Sequence, residues 1–280
     1  MQKRVFINDQ TTLSLRFLYL TKIGRLFLKI LILPIISKII GKLMDTKLST
    51  IFIKPFIRKY KINLTDYVDQ NYQSFNDFFT RRLKNINFSN NKNHLIAPAD
   101  SKLSAYHISK NLTFKVKNTI YNLSLLLNDP KLAKEYENGW CLIYRLDVSD
   151  YHHYLYIDDG LIKQSIEIPG VLHTVKPIGI TNVLVFHANH RVINLLNTKN
   201  FDQVIQIEVG ALMVGTIDNY HQLTKFNKGE SKGAFRFGGS TIIQLFKENT
   251  ITINQNIISN TNYNYETIVK IGETVGIKNN

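Results

Sequence analysis

The sequence predicts an α+β fold in which N-terminal amphipathic helices precede a β-rich, barrel-like domain. Three features carry that expectation. Residues 12–60 interleave large apolar side chains with cations, residues 85–94 (NINFSNNKNH) are polar and rich in asparagine, and from residue 95 onward short runs of β-branched and aromatic residues take over. The boundary is therefore placed near residue 90, dividing a helical membrane-associating segment, 1–90, from a β-rich domain, 91–280.

The first segment is read from its charges. Lys22, Arg25, Lys29, Lys38, Lys42, Lys47, Lys54, Arg58 and Lys59 stand among apolar residues, with only Asp45 to offset them. That pattern suits short amphipathic helices lying in a membrane interface, broken at Pro34 and Pro55, with acyl chains on one face and lipid phosphates on the other. A core-packing helical subdomain with a basic rim is the alternative, but the apolar residues are too many for one buried stripe. LFLKILILPIISKII (26–40) is interrupted by Lys29, Pro34 and Lys38 and falls short of the roughly 20 mostly apolar residues that a membrane span needs. MQKRVFINDQTTLSLRF has neither an early continuous apolar core nor a small-residue cleavage site, so no secretory signal is expected.

SFNDFFTRRLK (74–84) predicts a helix, with Ser74 as N-cap, Asp77 in the first turn and Arg81, Arg82 and Lys84 in the last. Phe75, Phe78, Phe79 and Leu83 then share one face. Beyond residue 95, strands are predicted at 114–117, 140–146, 161–168, 182–186, 203–217, 240–246 and 250–258, with one helix at 124–139.

Composition bounds the function. A chain of 280 residues with 44% hydrophobic and 11% aromatic content buries a sizeable core and is not disordered. Its 35 Lys and Arg against 21 Asp and Glu give a formal charge of +14, which asks for an anionic partner, either nucleic acid or an acidic membrane surface. Cys141 is the single cysteine, so no internal disulfide framework or multi-thiolate metal site can form. Within WCLIYRL it reads as a buried, inert thiol, and a reducing compartment is the default.

Walker loops, dinucleotide fingerprints, H-E-x-x-H and G-x-S-x-G are all absent. What stands out instead is APADSKLSAY (97–106), DYHHYLYIDDG (150–160), GVLHTVKP (170–177), FHANHRV (186–192), QIEVGALMVGTI (206–217) and FGGSTIIQLF (237–246). The last raises a chemical question, because glycines at the mouth of a strand weaken it and mark a bulge or a close backbone approach. A plain turn is one answer. A Gly239–Ser240 peptide bond that is itself a reactant is the other.

In order and spacing, from about Phe17 to about Phe246, these stretches resemble the phosphatidylserine decarboxylases, pyruvoyl-dependent enzymes made as self-cleaving proenzymes; FNDFFTRRL, PADSKLSAY, DYHHY, LHTV, EVGALMVGTI and GGST carry the likeness. The resemblance implies that Ser240 Oγ attacks the Gly239 carbonyl with the help of a base, the absence of a Cβ at Gly239 easing the bend. Cleavage would give a β chain, 1–239, and an α chain of 41 residues, 240–280, whose Ser240 becomes a covalent pyruvoyl cofactor. Phosphatidylserine would then be converted to phosphatidylethanolamine and CO2 through a Schiff base to that ketone, with a proton donor in reach. The implied partners are phosphatidylserine, an anionic membrane surface on the cytoplasmic side of the cell membrane, where the protein would be peripheral, and the two cleavage products as a heterodimer; a homodimer is a further possibility. No nucleic acid is expected, since the cations concentrate in the apolar N-terminal third and no RNP-like or helix-turn-helix pattern occurs.

The resemblance also distributes roles. Ser240, Asp100, His152 and His173 are the implied catalytic residues. Asp100 would orient the catalytic histidine, although a carboxylate in a turn after Pro98 needs no function, and Ser101 replaces the family's following glycine. His152 matches the first histidine of the family's YHR-x-H stretch, tied to decarboxylation, while the second histidine falls on Leu155. That is the chief departure. His153 replaces the intervening arginine, would point away from His152 in a strand, and is read as a surface residue. His173 is the leading substitute base, with a hydrogen-bonded core role almost equally weighted; His187 and His190 rank behind it. Lys176 stands where asparagine is common. Glu208 and Asp218, flanking VGALMVG with its packing glycines Gly210 and Gly215, read as structural. No spacing supports a metal site. Two other readings stay open: a non-catalytic lipid-binding homologue that has lost self-processing, and a pyruvoyl decarboxylase of a soluble amino acid.

Overall fold

A computed structural model of the chain describes residues 5–6, 11–212, 216–220 and 224–279; Gly215 lies outside the described residues. Its centre is an antiparallel sheet of nine strands in the order Val5–Phe6, Glu266–Val269, Ser101–His107, Trp140–Leu146, Ser240–Phe246, Gln203–Val209, Arg191–Thr198, Gly160–Ile168 and Lys225–Phe226. The α+β class and the β-rich second part hold. Closure into a barrel does not, because the first and last of these strands are edges and do not pair with each other.

The strand that begins at Ser240 lies in the middle of the sheet. It pairs from Ser240 opposite Leu146 to Phe246 opposite Trp140 on one side, and from Thr241 opposite Val209 to Leu245 opposite Ile205 on the other. All seven of its residues are buried. Side chains alternate across a strand, so this one supplies both cores. Ile242 and Phe246 join Leu142, Tyr144 and Leu146 on one face, and Ile243 and Leu245 join Cys141, Ile193 and Ile207 on the other. A strand buried on both faces reads as a nearly continuous apolar run, as STIIQLF does. Cys141 is fully buried, and burial pushes its thiol well above the ordinary range.

Several local expectations give way to tertiary context. The apolar run 182–186 is no strand; it ends the Pro177–Asn182 helix and starts Val185–Ala188, and Val185 and Phe186 fill the core as helical residues. Short apolar runs lack a period that separates the two structures. The 124–139 helix is split into Leu123–Leu127 and Pro130–Lys134, with Asn128 left-handed between them and Asp129 capping the second. Of 250–258 only Ile251–Ile253 is strand, followed by the Gln255–Asn262 helix. The 74–84 helix covers only Phe75–Phe79, and Leu83 instead bridges to Tyr67.

The N-terminal segment forms helices Leu13–Leu20, Lys22–Leu31, Pro34–Met44 and Ile53–Tyr60, with a 3-10 turn at Lys47–Phe52. Thr12 and Thr21 cap the first two, and Pro34 starts the third in the first turn, where a missing N–H costs nothing. Pro55 sits inside the first turn of its helix, so the break falls at Asp45–Thr46 rather than at Pro55. Leu13, Ile23, Leu26, Ile35, Ile39, Leu48 and Ile51 are each more than half exposed. No helix among the described residues is long and apolar enough to cross a membrane. These helices are nonetheless tied to the rest: Leu28 packs with Ile178, and Leu172 donates its N–H to the Ile32 carbonyl at 2.9 Å.

Beside the sheet lies a polar knot. Lys232 Nζ donates to Glu208 Oε1 at 2.9 Å and to Asn219 Oδ1 at 2.6 Å, and the side-chain amides of Asn194 and Gln206 donate to the same Glu208 carboxylate at 2.6 and 2.9 Å. Both partners of the ion pair are essentially inaccessible, at 1% and 0% side-chain exposure. Burial lowers the Lys232 pKa, and the Glu208 charge opposes that shift. Removing the carboxylate leaves a buried cation unpaired, so Glu208→Ala is expected to cost about 3–5 kcal/mol of stability, read as a lower urea midpoint.

Candidate active site

Four residues lead from the Ser231–Phe235 strand into the Ser240–Phe246 strand: Arg236, Phe237, Gly238 and Gly239. The glycine that the turn requires is Gly238, whose φ of +130° suits no side-chain-bearing residue. Gly239 differs from the expectation placed on it, because a Cβ there would meet only ordinary contacts, Leu146 O at 3.6 Å and a Val175 methyl at 3.8 Å. Immediately after this turn, Ser240 is 0% exposed and its Oγ has no hydrogen-bond partner among the described residues. A buried hydroxyl without a partner costs free energy and asks for a reason.

His152 supplies a second such atom. Its ring is buried against Phe79, centroids 4.2 Å apart, and Phe79 in turn packs on Phe237. Nδ1 lies 2.9 Å from the Asp150 carbonyl, which can only accept, so Nδ1 carries the proton. Nε2 is then unprotonated and buried on the side of the Gly238 backbone, and makes no close, well-aligned hydrogen bond among the described residues. The backbone of Gly238 adjoins the ring. Burial is the largest influence on this imidazole and pushes its pKa down to about 3, against the raising effects of the Asp150 carbonyl and the Gly238 backbone.

The loop carrying His152 is held by charges. Lys102 Nζ lies 2.9 Å from Asp147 and 2.7 Å from Asp150, and Arg145 grips Asp147 at 2.8 Å and Glu266 through two bonds of 2.9 and 2.6 Å. Burial raises the Asp150 pKa, whereas the cations Arg145 and Lys102 outweigh burial and lower that of Asp147. These positioning residues were missed in the sequence, although Lys102 lies in PADSK and Asp150 in DYHHY.

Asp100 is held by the C-terminal segment. Its oxygens accept from Lys270 Nζ at 2.8 Å and from the Ile271 N–H at 2.9 Å, and among the described residues no imidazole bonds to it. Leu155, at the usual second-histidine position, donates its N–H to Pro98 O and shares a small apolar cluster with Tyr151 and Ile271. The two features belong together: a leucine fills this corner, and a lysine from the C-terminal segment satisfies the aspartate.

His173 is half-buried. Tyr19, from the first helix, accepts from the Thr174 N–H at 3.0 Å, and its hydroxyl is hydrogen-bonded to His173 Nδ1 at 3.1 Å. Val175, two residues on, is the side chain facing Gly239. His153 is no surface residue: it is 6% exposed, stacks on Tyr151, and lies 2.9 Å from Thr80 O and 3.3 Å from the Tyr220 hydroxyl. It lines a polar cavity of about 320 Å³ with Arg82, Tyr220 and Arg236. His187 and His190 are engaged elsewhere, with Asn122 O and Glu167. Among the described residues no cluster of three His, Cys, Asp or Glu side chains could hold a metal ion.

Burial lowers the pKa of His152, His153, His173 and His187 alike. A histidine held below its unfolded value binds fewer protons folded than unfolded, so its contribution is fully present above about pH 6.5 and is lost as pH falls toward the folded pKa. For His152 the window runs from about 6.5 to about 3. Thermal stability is therefore expected to drop on acidification from pH 7 to pH 5. In His152→Gln the drop should be shallower by up to about 1.4 kcal/mol for each pH unit below 6.5, and parallel curves for the two proteins would contradict this.

Comparison with known proteins brings in the family. Residues 75–277 match the family model described as phosphatidylserine decarboxylase. The chain is 48% identical over 269 residues to phosphatidylserine decarboxylase proenzyme 2 of Clostridium acetobutylicum, covering 95% of this chain and 92% of that one. It is 40% identical over 272 residues to the phosphatidylserine decarboxylase proenzyme of Clostridium botulinum, with 94% and 92% covered, and 40% identical over 271 residues to that of Clostridium perfringens, with 93% and 91% covered.

Proposed function

The chain belongs to the phosphatidylserine decarboxylase family, and from that premise we propose that it converts phosphatidylserine to phosphatidylethanolamine and CO2 with a pyruvoyl group that it makes from Ser240. The observation that carries this reading is the pair of buried atoms at the Gly238–Gly239 turn, Ser240 Oγ and His152 Nε2, that make no close, well-aligned hydrogen bond among the described residues. Ser240 is the nucleophile and His152 the base in this reading, because Ser240 follows the turn directly and the His152 ring adjoins the Gly238 backbone.

In the proposed processing step His152 Nε2 takes the hydroxyl proton as Ser240 Oγ adds to the Gly239 carbonyl. Because burial keeps the imidazole neutral, its lone pair is present at pH 7. The same burial makes the imidazolium short-lived, which suits a group that hands the proton straight on to the departing amide nitrogen. His152 is favoured over His173 because Tyr19 already engages the Nδ1 of His173, whereas the His152 ring is buried against the Gly238 backbone of the turn itself. Elimination from the resulting ester separates residues 1–239 from 240–280. The ketone left on the second chain supplies an electron sink for loss of CO2 from a bound amino acid headgroup. Lys102, Asp147, Asp150 and Arg145 hold the His152 loop in place.

The fold also suits a cleaved heterodimer. The new N-terminus would sit between two β-chain strands, hydrogen-bonded to both along its length, and Glu266–Val269 adds a second strand of the short chain to the same sheet. Residues 1–90 then act as the membrane-associating segment and 91–280 as the catalytic part, peripheral on the cytoplasmic face. The unpartnered apolar surface of the first helices, laced with cations, supports this. The test is incubation of the purified protein with vesicles of phosphatidylserine and with free serine: phosphatidylethanolamine and CO2 from the vesicles alone are expected. Product from free serine alone, or a cleaved protein that releases no CO2 from lipid, would overturn the reading.

A further inference from the structure

We propose that the cavity between the Pro34–Met44 helix and the Arg236–Phe237 turn binds the phosphodiester of a glycerophospholipid, through Lys38, Lys42, Arg236 and the hydroxyl of Ser37. The cavity, about 180 Å³, is lined by these four residues together with Gly41 and Asn76. Ser37 is 2% exposed, and its Oγ has no hydrogen-bond partner among the described residues. A serine inside a helix ordinarily bonds the carbonyl one turn back; among the described residues this one does not, and it borders a cavity walled by cations. Gly41, one turn further on, leaves additional room, since a Cβ there would meet nothing within 4 Å.

The helix presents its residues in the order that an amphiphile needs. Residues four apart share a stripe. Ile35, Ile39 and Leu43 form an exposed apolar stripe, at 58%, 58% and 54% exposure. Ser37 and Gly41 form the stripe turned toward the cavity. Lys38 and Lys42 lie between the two. A lipid lying along this helix would place its acyl chains on the isoleucines and its phosphate beside the lysines. Arg236, on the opposite wall, is fixed by Asp218, 2.8 Å from its Nε, and by Asp45 at 3.3 Å. Asp45 also lines the cavity and accepts from Asn76 Nδ2 at 3.0 Å; it and Asp218 offset two of the three cations and leave the wall with one net positive charge. Arg236 and Phe237, which line the cavity, begin the turn that ends at Ser240, so we place the headgroup on the side of that turn; in that respect the inference rests on the proposed function.

The experiment uses dihexanoyl phosphatidylserine below its critical micelle concentration as a monomeric substrate, with the full processed protein and its Lys38→Gln/Lys42→Gln variant. KM is expected to rise by about tenfold with kcat held within about twofold, and Ser37→Ala alone should raise KM by about threefold. An unchanged KM for the monomer, with any loss confined to vesicles, would make these lysines plain surface cations and overturn the site. In parallel, calorimetric titration measures binding of dihexanoyl phosphatidylglycerol, which keeps the diester and lacks serine. Binding to the wild type about tenfold tighter than to the double variant is expected. Equal binding, or inorganic phosphate binding the wild type as tightly as the lipid, overturns the proposal. The titration needs no turnover, so an inactive wild type with variant-sensitive lipid binding would sink the decarboxylase reading and uphold the site.

Discussion

Ser240→Ala is expected to yield a single uncut chain of 280 residues with no decarboxylase activity, folded as well as the wild type. The hydroxyl makes no hydrogen bond among the described residues, so its removal strands no partner. The site is 0% exposed and the methyl of alanine fits where the serine Cβ already lies. Removing an unsatisfied buried polar atom is close to neutral or mildly stabilising, within about 1 kcal/mol. Loss of processing with retained stability is therefore the signature of a reactant. A serine that merely started a strand would leave activity intact when replaced. Denaturing electrophoresis, with urea unfolding of the same sample, distinguishes the two.

His152→Gln is expected to slow self-cleavage by about 10²- to 10⁴-fold, the range over which a positioned general base contributes. Glutamine keeps much of the volume packed on Phe79 but offers no basic nitrogen. His173→Gln should be processed at a rate near that of the wild type, because its Nδ1 is already occupied by the Tyr19 hydroxyl. Following the appearance of the short chain with time after refolding measures both. The reverse ranking, with His173→Gln uncut and His152→Gln cut at the normal rate, would move the base to the loop carrying Val175.

How much of this was legible in the sequence depends on distance along the chain. The strands 140–146 and 240–246 could be read residue for residue, because burial on both faces leaves an apolar run that nothing local contradicts. The GGST segment announced itself by breaking a strand's rules, although the conformational demand falls on Gly238 and not on Gly239. His152 was visible as a residue, yet its burial and tautomer are set by Phe79, 73 residues before it, and by the Asp150 carbonyl. The Arg145–Glu266 and Asp100–Lys270 pairs join residues 121 and 170 apart, and no window of sequence contains both partners. Lys270, the partner that holds Asp100, could not be read from PADSK. Barrel closure fails for a similar reason, since which strands become edges is decided by pairing between distant segments.

The central claim is that the Gly239–Ser240 bond becomes a ketone, and the mass of the purified protein's smaller chain tests it most directly. The expected result is a chain of residues 240–280, lighter by one ammonia than the unmodified peptide, resistant to N-terminal degradation and labelled by a hydrazine. A single uncut chain, or a short chain that begins with an ordinary serine amine, would contradict the account.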